Sequence, residues 1–393
     1  MSGKMDQEID PRALYRPKKY VPLHERDAGA PCLKCGPEGC EGGLDLHFWR
    51  KICKTCKCKP QDHDIKSSEE EAHRMVVGSL FNRDSTISHI RDYFDKLDRA
   101  DKQVKTEYVK KFSWVPPGLN QATLVKYMES LPPERRPMVG SEGAKYRRQQ
   151  MVYQLPIHDH DENYCDNLTD AEREKMREFC KMRNDKALGV GDIREKTVGT
   201  PKWECHRCGK GMANGEIAVF ASRAGEEKCW HPGCFVCCMC NNLLVDLIYF
   251  YKDGNIYCGR HYAEQFKPRC AACDELIFSD QYTQAEDRNW HQRHFCCLEC
   301  DKDLGGMLYV AKNGQPHCLE CYDKFYAKSC NTCRKKIAAD GQRIEHDGIF
   351  WHADEKCFNC ANCRRDLLGQ QFLKARDNVF CSVDCAKSHM NLS

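Results

Sequence analysis

Three observations predict the fold class: a string of small cysteine-built modules, made of β-hairpins and short helices, behind a mostly α-helical region and a Cys-rich N-terminal segment. The 393 residues hold 30 cysteines, close to the share that marks a scaffold built on cysteine. Eleven C-x2-C pairs occur along the chain. Twenty-two of the cysteines lie after residue 200, in blocks that open at 205, 270 and 330. A period of about 60 residues is the signature of a repeat. There is no run of 18 apolar residues, so no membrane span is expected. The N-terminal stretch MSGKMDQEIDPRALYRPKKY lacks the apolar centre of a secretory signal. A cytosolic or nuclear chain meets reducing conditions, in which disulfides are rare. Metal ligation is therefore the leading reading of the cysteines.

The first element, residues 1–66, carries Cys32-x2-Cys35, Cys40, Cys53-x2-Cys56 and Cys58, with His47 and His63 nearby. Two C-x2-C pairs at this separation can close a four-cysteine zinc ribbon. The cluster thus reads either as a site for one or two ions at Cys32, Cys35, Cys53, Cys56 and neighbours, or as loosely ordered thiols.

Helical signals follow. Ser67-x-x-Glu70 and Ser68-x-x-Glu71 are capping boxes, opening a stripe of Ala72, Met75, Val76 and Leu80, and Ile87, Ile90, Phe94 and Leu97 form a second. Pro116-Pro117 interrupts the pattern at 112–118. Helices are then predicted over 121–131 and 141–155, and from the capping box Thr169…Glu172 to about Lys186. Leu188-Gly189 followed by Gly191 reads as a helix C-cap. The loop cluster His158, Asp159, His160 and Asp161, with Cys165 nearby, reads as a polar loop rather than a metal site, because no C-x2-C or H-x2-C pair anchors it.

The strings WVPPG, QLPIHD and LGVGDI within 82–191 resemble the PET domain, which precedes LIM arrays in the testin and prickle families. CLKC…LDLHFWRKICKTCKC is similar to the N-terminal region of the testin branch. Residues 192–204 read as a linker of about thirteen residues.

Three cysteine modules come next, with predicted bounds 203–264, 268–324 and 328–388. The first offers Cys205, Cys208, His231, Cys234, Cys237, Cys240, Cys258 and His261. The second offers Cys270, Cys273, His291, His294, Cys297, Cys300, Cys318 and Cys321. The third offers Cys330, Cys333, His352, Cys357, Cys360, Cys363, Cys381 and Cys385. Zinc takes four N/S ligands in a tetrahedron, so eight ligands per module predict two ions, six in all, with ligands one to four on one ion and five to eight on the next. Only two residues separate ligand four from ligand five, Phe235 and Val236 in the first module, so the two fingers must abut. A Trp precedes each module's first His (Trp230, Trp290, Trp351), and Phe235, Phe295 and Phe358 follow the fourth ligand; these aromatics are expected to plug the space between fingers. The pattern resembles the LIM domain across 203–385, with one departure, the x4 gap after His352. A RING module interleaves its ligands and has a C-x-H core absent here. Twenty-four ligands fill six sites, which leaves no redox pair; Cys229, Cys238 and Cys296 remain over as core or surface thiols.

Charge separates the function classes. Residues 201–393 hold 25 basic and 25 acidic side chains. Six divalent ions would add +12 and nineteen ligand thiolates −19, leaving the array near −7 by count. A nucleic-acid binder needs a basic stripe to displace counterions from phosphates, so no direct nucleic-acid contact is expected. Closed structural zinc leaves no open position for a substrate, and no catalytic or cofactor-binding residue is assigned. No C-a-a-X box ends the chain, so neither a lipid anchor nor membrane insertion is expected, which favours testin over prickle. The resemblance implies a non-enzymatic scaffold that binds cytoskeletal, adhesion or junctional proteins through its LIM faces. It implies a place in the cytoplasm at focal adhesions and cell junctions, with the nucleus as a further compartment. It also implies that the PET region folds back on the LIM array. A prickle-type polarity adaptor and a nuclear transcription cofactor are the alternatives. The linkers 262–269 and 322–329 carry aromatics expected to pack on the preceding finger.

Overall fold

The structure, a computed structural model, describes residues 27–65, 80 and 108–391. The helices expected over 67–97 lie outside the described residues, Leu80 excepted. The chain divides into two compact units, Met1–Asp280 and Gln281–Ser393.

In the first unit three helices follow their sequence signals closely. α1 spans Gln121–Ser130, and its N-cap Asn120 accepts a hydrogen bond from the Thr123 amide. α2 spans Glu142–Gln154, with Ser141 accepting from the Ala144 amide. α3 spans Asp170–Lys186, where Thr169 and Glu172 form a reciprocal capping box. Each cap satisfies amides that the first turn leaves without partners. The faces of α1 and α2 that bury Leu124, Tyr127, Met128 and Met151 share one core with Val219, Phe235, Tyr249 and Phe250 from residues 217–262.

The chain after α3 does not end in a glycine C-cap. The capping residue Ala187 has φ −125° rather than a left-handed backbone, and the next residues are extended. β1 (Leu188–Val190) pairs antiparallel with β5 (Ile248–Lys252), and Gly189 stands opposite Tyr249. β2 (Asp192–Glu195) pairs antiparallel with β3 (Ile217–Phe220), with Ile193 opposite Val219. β3 continues to β4 (Cys229–Trp230), and β5 to β6 (Asn255–Tyr257). The two three-stranded sheets therefore run β2-β3-β4 and β1-β5-β6. Residues 188–195, which follow α3, give one strand to the hairpin of each finger of the first module. Residues 192–195, expected as the start of a linker, are instead part of a sheet.

Close approach explains the glycines here. A Cβ on Gly189 would lie 2.4 Å from the Tyr249 ring, and one on Gly191 would lie 2.6 Å from Val219 Cγ1. Neither glycine has a left-handed backbone; what they supply is room.

α4 (Gly259–Ala263) closes the first module. The linker that follows packs backward: Tyr262 stacks on Phe250 and Phe266 tilts against Tyr262. Phe266 also meets Phe179 of α3. Leu276 and Phe278 pack with Met176 and Phe179 of that helix in a small satellite core.

The second unit is a series of two-stranded hairpins: β7 (Thr283–Ala285) with β8 (Arg288–Trp290), β9 (Tyr309–Lys312) with β10 (Gln315–Cys318), β11 (Arg343–His346) with β12 (Ile349–His352), and β13 (Leu373–Ala375) with β14 (Asn378–Phe380). Short helices α5 (Leu319–Phe325) and α6 (Val383–Asn391) follow the second and fourth hairpins. After α5, Tyr326 meets His317 edge-on and donates to Glu299, so this linker also packs on its preceding finger. The aromatic plugs recur with one geometry. Trp230–Phe235, Trp290–Phe295 and Trp351–Phe358 are edge-to-face pairs with centroids 5.7, 5.7 and 5.6 Å apart, near the preferred aromatic arrangement.

Candidate metal centres

Tetrahedral zinc with Zn–S of ~2.3 Å and Zn–N of ~2.0–2.1 Å places ligand sulfurs ~3.8 Å apart and sulfur–nitrogen pairs ~3.6 Å apart. The described clusters fit that frame. In the first module Cys205, Cys208, His231 and Cys234 form one group of potential ligand atoms and Cys237, Cys240, Cys258 and His261 another, each mutually within 4.8 Å. Cys208 Sγ lies 3.5 Å from His231 Nδ1, and Cys237 Sγ lies 3.6 Å from His261 Nδ1. The second knuckle of each group stands at the start of a helical turn, because C-x2-C and C-x2-H spacings return two donors to one side of a tight turn. Cys258 serves as N-cap of α4 and places His261 one turn on, with Sγ 3.1 Å from Nδ1.

Cys270 and Cys273 sit fully buried on the last knuckle of the first unit, where the Cys270 amide donates to Glu275 O. His291 and His294, on the turn after β8, turn their Nδ1 atoms to within 3.2 Å of each other. In the next finger Cys300 Sγ lies 3.8 Å from Cys318 Sγ, and Cys318 Sγ accepts from the Cys321 amide. Cys297 shares hydrogen bonds with Cys300, and Cys321 with Cys318, Cys300 and Cys297. In the third module His352 stands at the ligand position despite its longer gap: its Nδ1 is 3.5 Å from Cys333 Sγ. Cys330 shares a hydrogen bond with His352, and Cys357 with Cys333 and Cys330. Cys363–Cys381 and Cys381–Cys385 sulfur distances are both 3.6 Å, and Cys360 bonds into this set.

Four such donors cannot all ionise without a cation among them. Hydrogen bonds from Cys240 and Cys258 hold the Cys237 thiol far below the ordinary range, while bonding to Cys237 pushes Cys258 far above it. The same thiolate raises His261 to about 9. A divalent ion removes this competition by favouring every thiolate at once. The leftover thiols have other partners: Cys229 donates to Glu204 O at 3.5 Å and Cys296 to Arg293 O at 3.4 Å.

The N-terminal segment is organised differently from a four-cysteine ribbon. Cys32, Cys35, Cys56 and Cys58 form one group, and Cys40, Cys53, Cys56 and His63 form another. Cys53 thus sits with Cys40 and His63 rather than with Cys32 and Cys35. His47 stands outside both, with Nδ1 accepting from the Trp49 and Arg50 amides.

Sequence reasoning missed the residues that join helices to modules. Arg147 of α2 makes two bonds to Asp246, Nε to Oδ1 at 2.7 Å and Nη2 to Oδ2 at 2.6 Å, in a buried setting. Gln154 donates to Leu243 O and accepts from the Val245 amide. The polar loop 158–161 is a second junction. Asp159 is clamped by both Nη atoms of Arg269 at 2.9 and 2.7 Å, and His158 Nε2 donates to Asp274 O at 2.9 Å. Arg269 holds Asp159 at about 2 despite its burial, and burial pushes His158 down to about 4. Arg183 donates to His160 Nδ1 at 2.6 Å, and burial beside that guanidinium keeps His160 neutral.

Residues 94–194 match the PET domain profile, and residues 205–266 and 270–326 match the LIM domain. Testin of Gallus gallus is 42% identical over 419 residues, covering 95% of this chain and 98% of that protein. Testin of Xenopus tropicalis is 43% identical over 416 residues, covering 94% and 97%. The chain belongs to the testin family. Testin from Loxodonta africana is 42% identical over 417 residues, with 95% and 98% covered. This testin-family chain is therefore a PET–LIM protein whose LIM modules bind zinc, and LIM modules are protein-interaction domains. The third module, 330–385, repeats the eight-donor order and the Trp–Phe plug of the two that match the LIM domain, with wider gaps after His352 and Cys381. Among the described residues no helix is long and apolar enough to cross a membrane.

Proposed function

We propose that this testin-family chain is a non-enzymatic adaptor that gathers cytoskeletal, adhesion and junctional proteins on the faces of its LIM modules, in the cytoplasm at focal adhesions and cell–cell junctions. The 24 side chains set out above hold six zinc ions in this reading, four ligands per ion in chain order. The observation that carries it is the complete ligand sets. Every finger supplies four N/S donors, and such closed coordination serves structure rather than reaction. Metal in place of a large core leaves small modules whose outer faces stay available to partners.

In the same reading the PET region controls access to the first module. Contacts through Arg147 and Gln154 support this, since a partner that needs those LIM surfaces must displace the helices. A protein whose binding-competent state is only partly populated shows an affinity lowered by that fraction. Affinity purification with mass spectrometry, on the full chain and on Arg147→Glu, tests both parts. Actin-cytoskeletal and adhesion proteins are expected with both baits, in larger amount with the variant. Recovery of a purely nuclear or polarity set would refute the adaptor assignment, and equal yields would refute the control by PET.

A further inference from the structure

We propose that residues 32–63 hold two zinc ions that share the Cys56 thiolate, a binuclear cluster of seven side chains. Two tetrahedral ions need eight donor positions. The segment supplies seven donors, and Cys56 alone stands in both groups. One bridging sulfur closes the count. The first ion would take Cys32, Cys35, Cys58 and Cys56; the second would take Cys40, Cys53, His63 and Cys56.

The distances agree with this sharing. Cys56 Sγ lies 3.9 Å from Cys32 Sγ on one side and 3.6 Å from His63 Nε2 on the other. Within the first group Cys35 and Cys58 sulfurs are 3.3 Å apart. Within the second, Cys40 Sγ is 3.8 Å from both Cys53 Sγ and His63 Nε2. These values bracket the ~3.6–3.8 Å edges of a zinc tetrahedron. His63 is prepared as a ligand: its Nδ1–H donates to Lys59 O at 3.0 Å, so the lone pair of Nε2 faces Cys40 and Cys56. Such a bond from the second ring nitrogen fixes tautomer and ring plane in metal sites. His63 and Cys53 are wholly buried and Cys40 is 2% exposed, a costly place for polar groups with no ion between them. A ribbon of Cys32, Cys35, Cys53 and Cys56 would strand Cys40, Cys58 and His63 in that interior. The surrounding core is too small to fold the segment by itself, since Leu44, Leu46 and Ile65 are its only buried aliphatic side chains among the described residues. The metal pair supplies what it lacks. The cluster then fixes the loop that carries Lys51, whose ammonium is buried on Glu275 at 2.7 Å.

The test is cadmium-113 NMR of the full-length protein after exchange, with native mass spectrometry of the zinc form. Two cadmium signals are expected to show mutual scalar coupling, one shifted as a four-thiolate site and its partner as a three-thiolate, one-imidazole site. The LIM fingers share no sulfur with one another, so any cadmium–cadmium coupling reports this cluster, whatever the zinc count of the LIM array. Cys56→Ala is expected to carry two ions fewer than wild type. Cys35→Ala, which removes a donor of the first ion only, is expected to carry one fewer. Absence of coupling in wild-type protein, or loss of a single ion on Cys56→Ala, would overturn the shared thiolate. Should the variants fail to fold, the coupling in wild-type protein decides alone.

Discussion

A guanidinium sealed against one carboxylate anchors the helical region. Arg147 and Asp246 leave side-chain exposures of only 8% and 1%, so removing one partner strands a buried charge. Asp246 also takes a left-handed backbone, φ 52°, as does the next residue Leu247 at φ 62°. These conformations are uncommon for side chains other than Asn, Asp or Gly, and they aim the carboxylate at Arg147 while Leu247 O accepts from the Gly191 amide. Arg147→Ala is expected to destabilise the first unit by ~3–5 kcal/mol, read as a lower denaturant midpoint. A loss under ~1 kcal/mol would place the pair in the class of exposed ion pairs. Acid should loosen the same region. His158 titrates at about 4 in the folded chain against ~6.5 when unfolded. Between those values the unfolded chain takes up a proton that the folded one refuses, so stability falls as pH drops from ~6.5 toward 4. Asp159, Asp274, Lys51 and Arg269 face this ring, and Asp159 adds a loss of the same sign only below ~4, as its own proton returns. The stability advantage of wild type over His158→Gln should therefore shrink between pH 7.5 and 4.5 in paired melts. A pH-independent difference would contradict the assignment.

At the scale of elements, what could be read in advance depended on range. The helices were legible because their signals are local: the Thr169–Glu172 box acts within three residues, as do the caps Asn120 and Ser141 that the structure adds. The finger hairpins were legible because ligand spacing imposes them. β1 and β2 were not. They are three and four residues long, below the length at which alternation speaks, and β1 pairs with residues some sixty positions away. A Leu-Gly-Val-Gly string after a helix also satisfies the local rule for a C-cap, so local logic chose the wrong outcome where tertiary pairing decided. In the N-terminal cluster the donors were legible but not their grouping: C-x2-C pairs suggest a four-cysteine ribbon, whereas Cys40, Cys58 and His63, which stand alone in sequence, complete the two groups. The strands carry a sharp test. Gly189→Ala forces a methyl group into the Tyr249 ring, and overpacking of this kind costs ~1–3 kcal/mol. The variant should lose protection in β1 while the β5–β6 hairpin keeps its own. Unchanged protection in β1 would show that the pairing is loose.

For the molecule as a whole, the first LIM module is not a free bead on a string. Its two fingers are each extended by a strand from the PET end, its core is shared with α1 and α2, and its Asp246 is gripped by Arg147 of α2. The modules of the second unit have hairpins of two strands only. The helical region is thus docked on the first module by strand pairing, a shared core and a buried ion pair. Hydrogen–deuterium exchange on the zinc-loaded full-length protein measures this most directly. Amides of residues 188–195 are expected to exchange as slowly as those of 217–220 and 248–252, and Arg147→Ala is expected to speed the first set while leaving the hairpin β5–β6 protected. Exchange of 188–195 within seconds in wild-type protein, beside a slow 217–257, would contradict it and leave a PET region tethered to the LIM array but not docked on it.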